Sequence, residues 1–252
     1  MKDYSRASRG FLTVIVFPVA VSLSAVFAAE GTPPLKVVDP GSPPSPAPDA
    51  PSDATILFDG RDLSRWRSGR GDPRWKVEDG VLTVAPGTGD LTTRDSYGDI
   101  QLHIEWRISA DVKGAGESRG NSGIKLHEAY EIQILDSFRS DSNPLTQAGA
   151  VYKQHAPLVN ACRKPGEWQV FDIVFRAPRF DGEGKLKRQG TFTVFQNGVL
   201  IHDKVKVFGR TNSTRPVKPD LKQPFFLQDH GAAVGFRNIW LRELPPEPEK
   251  KA

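Results

Sequence analysis

The chain has 252 residues, with 34 Lys and Arg against 30 Asp and Glu and a net charge of +4. Its basic residues are scattered among acids, so no stripe or motif is available for nucleic acid, and no such partner is expected. Cys162 is the only cysteine, which excludes an intramolecular disulfide; it lies in the polar stretch Asn160 to Pro165 and reads as an incidental loop cysteine, not an activated thiol.

Lys2, Arg6 and Arg9 precede the apolar run Gly10 to Phe27, and the small residues Ala28 and Ala29 follow it. That order reads as a secretory signal over residues 1–29. A periplasmic or secreted protein is therefore expected, with no stable membrane span after cleavage; an uncleaved anchor is the alternative reading of the same run. Residues 30–53 hold eight prolines and are expected to form an extended tether. The folded domain is expected over residues 54–244, and residues 245–252 read as a solvated tail.

Within that domain almost nothing has helical periodicity, and alternation of period two recurs throughout. Strands are expected at Ile56 to Phe58, Trp75 to Val77, Val81 to Val84 and Leu91 to Thr93, with Asp79-Gly80 as a tight turn. The clearest alternation sets Ile100, Leu102, Ile104, Trp106 and Ile108 against Gln101, His103, Glu105 and Arg107. Ile124 to Leu126, Tyr130 to Asp136 and Ala150 to Tyr152 follow, then Phe171 to Phe175 and Phe192 to Val194. Asn197-Gly198 marks a two-residue hairpin, because both central positions of a type I′ turn need positive φ, and Val199 to Val207 is its return. Phe225 to Gln228 and Phe236 to Arg242 complete the set. So many short strands separated by Gly, Pro and Asp turns imply an all-β fold, a jelly-roll sandwich of two antiparallel sheets.

The strand from Tyr130 carries the most chemistry. Glu131 and Gln133 share one face while Ile132 and Ile134 fill the other. A regular strand leaves Asp136 on the apolar face. A β-bulge would return it beside Glu131 and Gln133, giving two carboxyl groups and an amide on one surface. Elsewhere, Gly120-Asn121-Ser122-Gly123 permits close backbone approach. Tyr152 follows small residues that leave room for a sugar to stack on its ring, and His155 lies three positions on. Phe226 to Gly231 ends an apolar strand with Gln228, Asp229 and His230, and a histidine beside a carboxylate suits proton transfer near neutral pH. A metal site built from His230, Asp229 and Glu131 is the weaker reading, since no recognised ligand spacing occurs. No cofactor is expected.

Several of these stretches, taken in order, resemble the 3-keto-disaccharide hydrolase domain family. They are Leu57-Phe58-Asp59-Gly60 with Leu63 and Trp66, Trp75 to Leu82, Gly120 to Ile124, Tyr130 to Ser137, Gly149 to Tyr152, Pro165 to Trp168, Asn197-Gly198-Val199, and Leu227 to Gly231 with Phe236 to Ile239. The resemblance implies a concanavalin A-like jelly roll, usually exported, that cleaves glycosides already oxidised at the 3-hydroxyl. The strand offsets also look like the Glu-x-Asp-x-x-Glu strand of laminarinase-like glycosidases, with Gln133 and Asp136 as departures. A retaining glycosidase needs its carboxyl groups about 5 to 5.5 Å apart, whereas four to five strand steps span roughly 13 to 17 Å. A 3-keto sugar instead requires one base, one acid and a polariser of the ketone oxygen. The expectation is Glu131 or Asp136 as base and His230 as acid or enolate stabiliser. Asn121, Gln133, Tyr152, His155, Gln228, Asp229 and Arg237 are expected to contact the oxidised oligosaccharide or glycoside. A non-catalytic carbohydrate-binding module and a conventional endo-glycosidase are the alternatives.

Overall fold

In the computed structural model, which describes residues 33–43, 45, 47 and 49–247, alternation becomes two antiparallel sheets. The larger runs, in spatial order, Val199–Lys206, Thr191–Gln196, Gln169–Arg176, Ile100–Arg107, Gly235–Glu243, Val81–Thr83 and Lys76–Glu78, and Thr55–Phe58 also pairs with Gly235–Glu243. The smaller runs Trp66–Ser68, Leu91–Thr93, Phe226–Leu227, Ser122–Leu126 and Tyr130–Ile134. Together they form a concanavalin A-like jelly-roll sandwich. A separate two-stranded ribbon joins Arg179–Phe180 to Leu186–Arg188.

Between the sheets lie the apolar halves of the alternating strands. Ile100, Leu102, Ile104 and Trp106 meet Ile124, Ile132 and Ile134, all buried in one core. Phe171 packs on Trp106 with ring centres 5.4 Å apart, and Phe175 on Phe192 at 4.9 Å. Where a buried aromatic carries a polar edge it can be satisfied locally: Trp66 Nε1 donates to the Leu57 carbonyl at 2.9 Å. Both expected tight turns form, with φ of 51° and 76° at Asp79 and Gly80 and 54° and 83° at Asn197 and Gly198.

Two observations correct the sequence reading. The bulge expected in the strand from Tyr130 is absent: its register with Ser122–Leu126 is unbroken from Leu126↔Tyr130 to Ser122↔Ile134. The strand ends at Ile134, and beyond it the Asp136 amide bonds the Arg119 carbonyl. Register breaks occur instead in the larger sheet, one of them between Arg237 and Trp240, where Asn238 has a φ of 46°.

Part of the expected tether is docked. Val38 N donates to the Asn160 carbonyl and Asn160 N to the Lys36 carbonyl, both at 2.9 Å. Buried Arg163 reaches the Gly41 carbonyl, the Trp168 carbonyl and Asn197 Oδ1 at 2.9, 2.9 and 2.7 Å. A chain beginning at Asp49 is expected to melt roughly 2 to 8 °C below one beginning at Pro33, the equivalent of about 1 to 2 kcal/mol. Equal midpoints in calorimetry would show that this strap adds no stability. The expected signal and the end of the tail, residues 248–252, lie outside the described residues. Among the described residues no helix is long and apolar enough to cross a membrane.

Candidate active site

The outer face of the smaller sheet is polar because its strands alternate. Lys125 lies opposite Glu131 and Gly123 opposite Gln133. Phe226 pairs with Lys125 on one side and Thr92 on the other, while Gln228 N bonds the Gly123 carbonyl at 2.9 Å. On the far edge, Tyr152 N donates to the Glu131 carbonyl and Gln133 N to the Ala150 carbonyl. One surface thus carries Tyr152, Glu131, Gln133, Lys125, Phe226, Gln228 and Thr92. An open cleft of about 700 Å³ lies on it, walled by Arg70, Asp90, Thr92, Phe226, Gln228 and Asp229 among others.

Glu131 is not in that cleft's wall, yet its side chain leans toward it. A Cβ placed on Gly123 would lie 2.5 Å from Glu131 Oε1, so the carboxylate occupies the space that the missing side chain leaves. Its side chain is only 6 % exposed, and Oε2 lies 3.3 Å from Lys125 Nζ. Burial pushes the carboxyl above the usual range; Lys125 and the charge of His230 oppose this, and Asp90 adds to it. The Gly123→Ala variant is expected to displace the carboxylate, lowering any turnover roughly 10- to 100-fold through misplacement of a reacting group while thermal stability changes little. Unchanged turnover would sink that role for the glycine.

Amides line the same surface. Gln133 and Gln228 each hold a buried side-chain oxygen with no protein partner. Buried polar atoms are costly to leave unpaired, and hydroxyl groups of a sugar are suitable donors. Tyr152 donates its hydroxyl to Glu117 Oε2 at 2.6 Å, and burial followed by this carboxylate pushes its pKa upward. Buried Asn121 donates to the Glu117 carbonyl at 2.7 Å.

The remaining expected residues fall in four settings. His230 is exposed at the rim, and Asp229 fastens the loop beneath it, accepting from Gly89 N at 2.9 Å while its own N–H donates to Asp90 Oδ1 at 2.8 Å. Asp136 is engaged by Arg119 and lines a crevice with Trp106, Cys162 and Arg163, consistent with the missing bulge. His155 contacts the Lys206 carbonyl at 2.6 Å and packs near Phe208. Arg237 is on the larger sheet, 2.7 Å from Glu105 and over the Trp168 ring. The sequence makes Asp136 a candidate base and His155 and Arg237 sugar contacts; the structure gives each a protein partner away from the Glu131 row. Cys162 is buried, and burial pushes its thiol up to about 12, which leaves it unreactive. Among the described residues no group of three or more His, Cys, Asp or Glu is placed to hold a metal.

Lys125, Asp90 and Phe226 were missed as site residues. For Lys125 the signal existed, since in Gly123-Ile124-Lys125-Leu126 the lysine shares the face of the glycine. Asp90 precedes its strand and had no periodicity to reveal it.

An acid, amide and lysine row on the open face of such a jelly roll defines a carbohydrate-active β-sandwich. The chain belongs to the 3-keto-alpha-glucoside-1,2-lyase-like domain family, whose model matches residues 53–242. A crystal structure from Parabacteroides distasonis ATCC 8503, described as a "putative glycosyl hydrolase", is 45 % identical over 77 % of this chain and 85 % of its own, with a TM-score of 0.74. A second from that organism, described in the same words, is 22 % identical over 76 % of this chain and 94 % of its own, with a TM-score of 0.56, and shares the fold. No curated protein matches the chain.

Proposed function

We propose that the domain cleaves 3-keto-glycosides by elimination and hydration, with Glu131 as the base. The observation that carries this is the buried Glu131 carboxylate, raised in pKa, seated over Gly123 and paired with Lys125. The ketone at C3 acidifies the C2 hydrogen. Glu131 takes that proton, the electrons pass through an enolate, and the C1–O1 bond breaks to leave a C1–C2 double bond. O1 departs with a proton from His230 or from solvent. Water then adds across the double bond, placing hydroxyl on C1 and returning a proton to C2.

Lys125 supplies positive charge where the enolate develops, and Gln133, Gln228 and Tyr152 orient hydroxyls. The family's description as a 1,2-lyase on 3-keto-α-glucosides agrees with elimination across C1 and C2. Cleavage by paired carboxylates is disfavoured because Asp136 is held by Arg119. The test is incubation of the protein with matched 3-keto and unoxidised disaccharides, with and without chelator, following free sugar. Release from the oxidised sugar alone is expected. Cleavage of neither would leave a binding module, and equal cleavage of both would favour a conventional glycosidase.

A further inference from the structure

Beside the Glu131 row a smaller hollow of about 180 Å³ is lined by Lys125, Glu128, Arg210, Thr211, Arg215 and Phe226 among others. Three of its side chains are cationic. The loop that brings two of them is fixed to the Glu131 strand: Thr211 Oγ1 accepts from Glu131 N at 3.1 Å and donates to the Ala129 carbonyl at 3.0 Å. Lys125 and Phe226 form the boundary with the catalytic face, and Phe226 also lines the larger cleft.

The charges of this hollow are incompletely balanced. Arg210 donates to a backbone oxygen, that of Glu128, and so keeps its full positive charge. The Glu128 carboxylate pairs with Lys218 at 3.0 Å. Among the described residues Arg215 has no ion pair, and Lys153 Nζ, on the same side, contacts the neutral Asn212 Oδ1 at 3.2 Å. The opposite end of the face is mixed in charge, with Asp90, Asp229 and Arg70 in the cleft wall. A substrate lying across Gly123 therefore meets the Glu131–Lys125 pair and neutral amides at its centre and the arginines at one end.

Resting on the elimination reading, we infer that this hollow is a subsite for an anionic group on the leaving portion of the substrate, a carboxylate or other oxyanion carried by the aglycone. Guanidinium groups bind planar oxyanions through paired N–H donors, and the ring of Phe226 supplies an apolar floor for the aglycone body.

The test compares 4-carboxyphenyl and 4-carbamoylphenyl 3-keto-α-glucosides, which match in shape and differ in charge. The intact protein is expected to favour the carboxylate about tenfold in kcat/KM at low salt, chiefly through KM, equivalent to about 1.4 kcal/mol. The preference should shrink in 0.5 M salt, as screening requires, and vanish in Arg215→Gln, which keeps its activity on the carbamoyl compound. Equal rates on the two compounds, or a preference that Arg215→Gln leaves intact, would overturn the subsite while leaving the elimination reading standing. Cleavage of neither compound sinks the elimination reading. Titration calorimetry with the same pair then decides: a carboxylate preference lost in Arg215→Gln supports the subsite, and equal affinities refute it.

Discussion

Glu131→Gln is expected to lower kcat on a 3-keto-glucoside about 10³-fold, within the 10² to 10⁴ range of a positioned general base, while the melting temperature stays close to wild type. The amide matches the carboxylate in shape, and the burial that penalises the charge no longer acts. Lys125, 24 % exposed at its side chain, can turn to solvent. The pH profile gives an independent check. A base works when deprotonated, and burial raises the Glu131 pKa above the ordinary glutamate value of 4.5. The acid limb of kcat/KM is therefore displaced upward from that value. Lys125 opposes the shift, so Lys125→Gln is expected to move the limb to still higher pH, in addition to slowing the reaction by loss of enolate stabilisation. A Glu131→Gln variant retaining a tenth of wild-type kcat would remove Glu131 from the role of base.

How much of this was legible beforehand depended on whether the information was periodic. The Asn197-Gly198 hairpin, the Ile100 to Ile108 strand and the shared face of Glu131 and Gln133 follow from local rules, and the sheets adopt all three. Where a single residue's side depended on an irregularity, the sequence misled. A bulge between Gln133 and Asp136 would bring Asp136 onto the Glu131 face, but the register there is continuous, and the breaks lie in the larger sheet, one of them at Asn238. Arg237, expected at the sugar, instead faces Glu105 in the larger sheet, since nothing local distinguishes an arginine facing a sugar from one facing a buried glutamate on a neighbouring strand. Glu105 and His103 had been visible only as the wet face of an amphipathic strand. They are 1 % and 3 % exposed, because Trp240 stacks on the imidazole at 4.9 Å and Arg237 and Asn238 cover the carboxylate.

That buried cluster is expected to govern stability as strongly as Glu131 governs turnover. His103 Nδ1 lies 2.7 Å from Asp172, and its Nε2 lies 3.7 Å from Glu105. Glu105 also accepts from Arg237 at 2.7 Å and Asn238 at 2.9 Å. Burial opposes charge on both groups, but the hydrogen bonds prevail: His103 rises to about 9, and Glu105 falls to about 2. Glu105→Ala leaves an imidazolium and a guanidinium without their shared anion, and breaking such a pair costs about 3 to 5 kcal/mol, a drop of roughly 10 °C in melting temperature. The wild-type pH dependence has a definite sign. The His103 contribution is whole below the unfolded value of 6.5 and is lost as pH rises through 9; the Glu105 contribution is whole above 4.5 and is lost as pH falls through 2. Stability should therefore decline between pH 6.5 and 9, and His103→Gln should flatten that decline. A His103→Leu/Glu105→Leu double variant separates charge from packing, since apolar replacement of both members of a buried pair can restore stability. If Glu105→Ala melts within 2 °C of wild type, the cluster is not the stabilising element its geometry indicates.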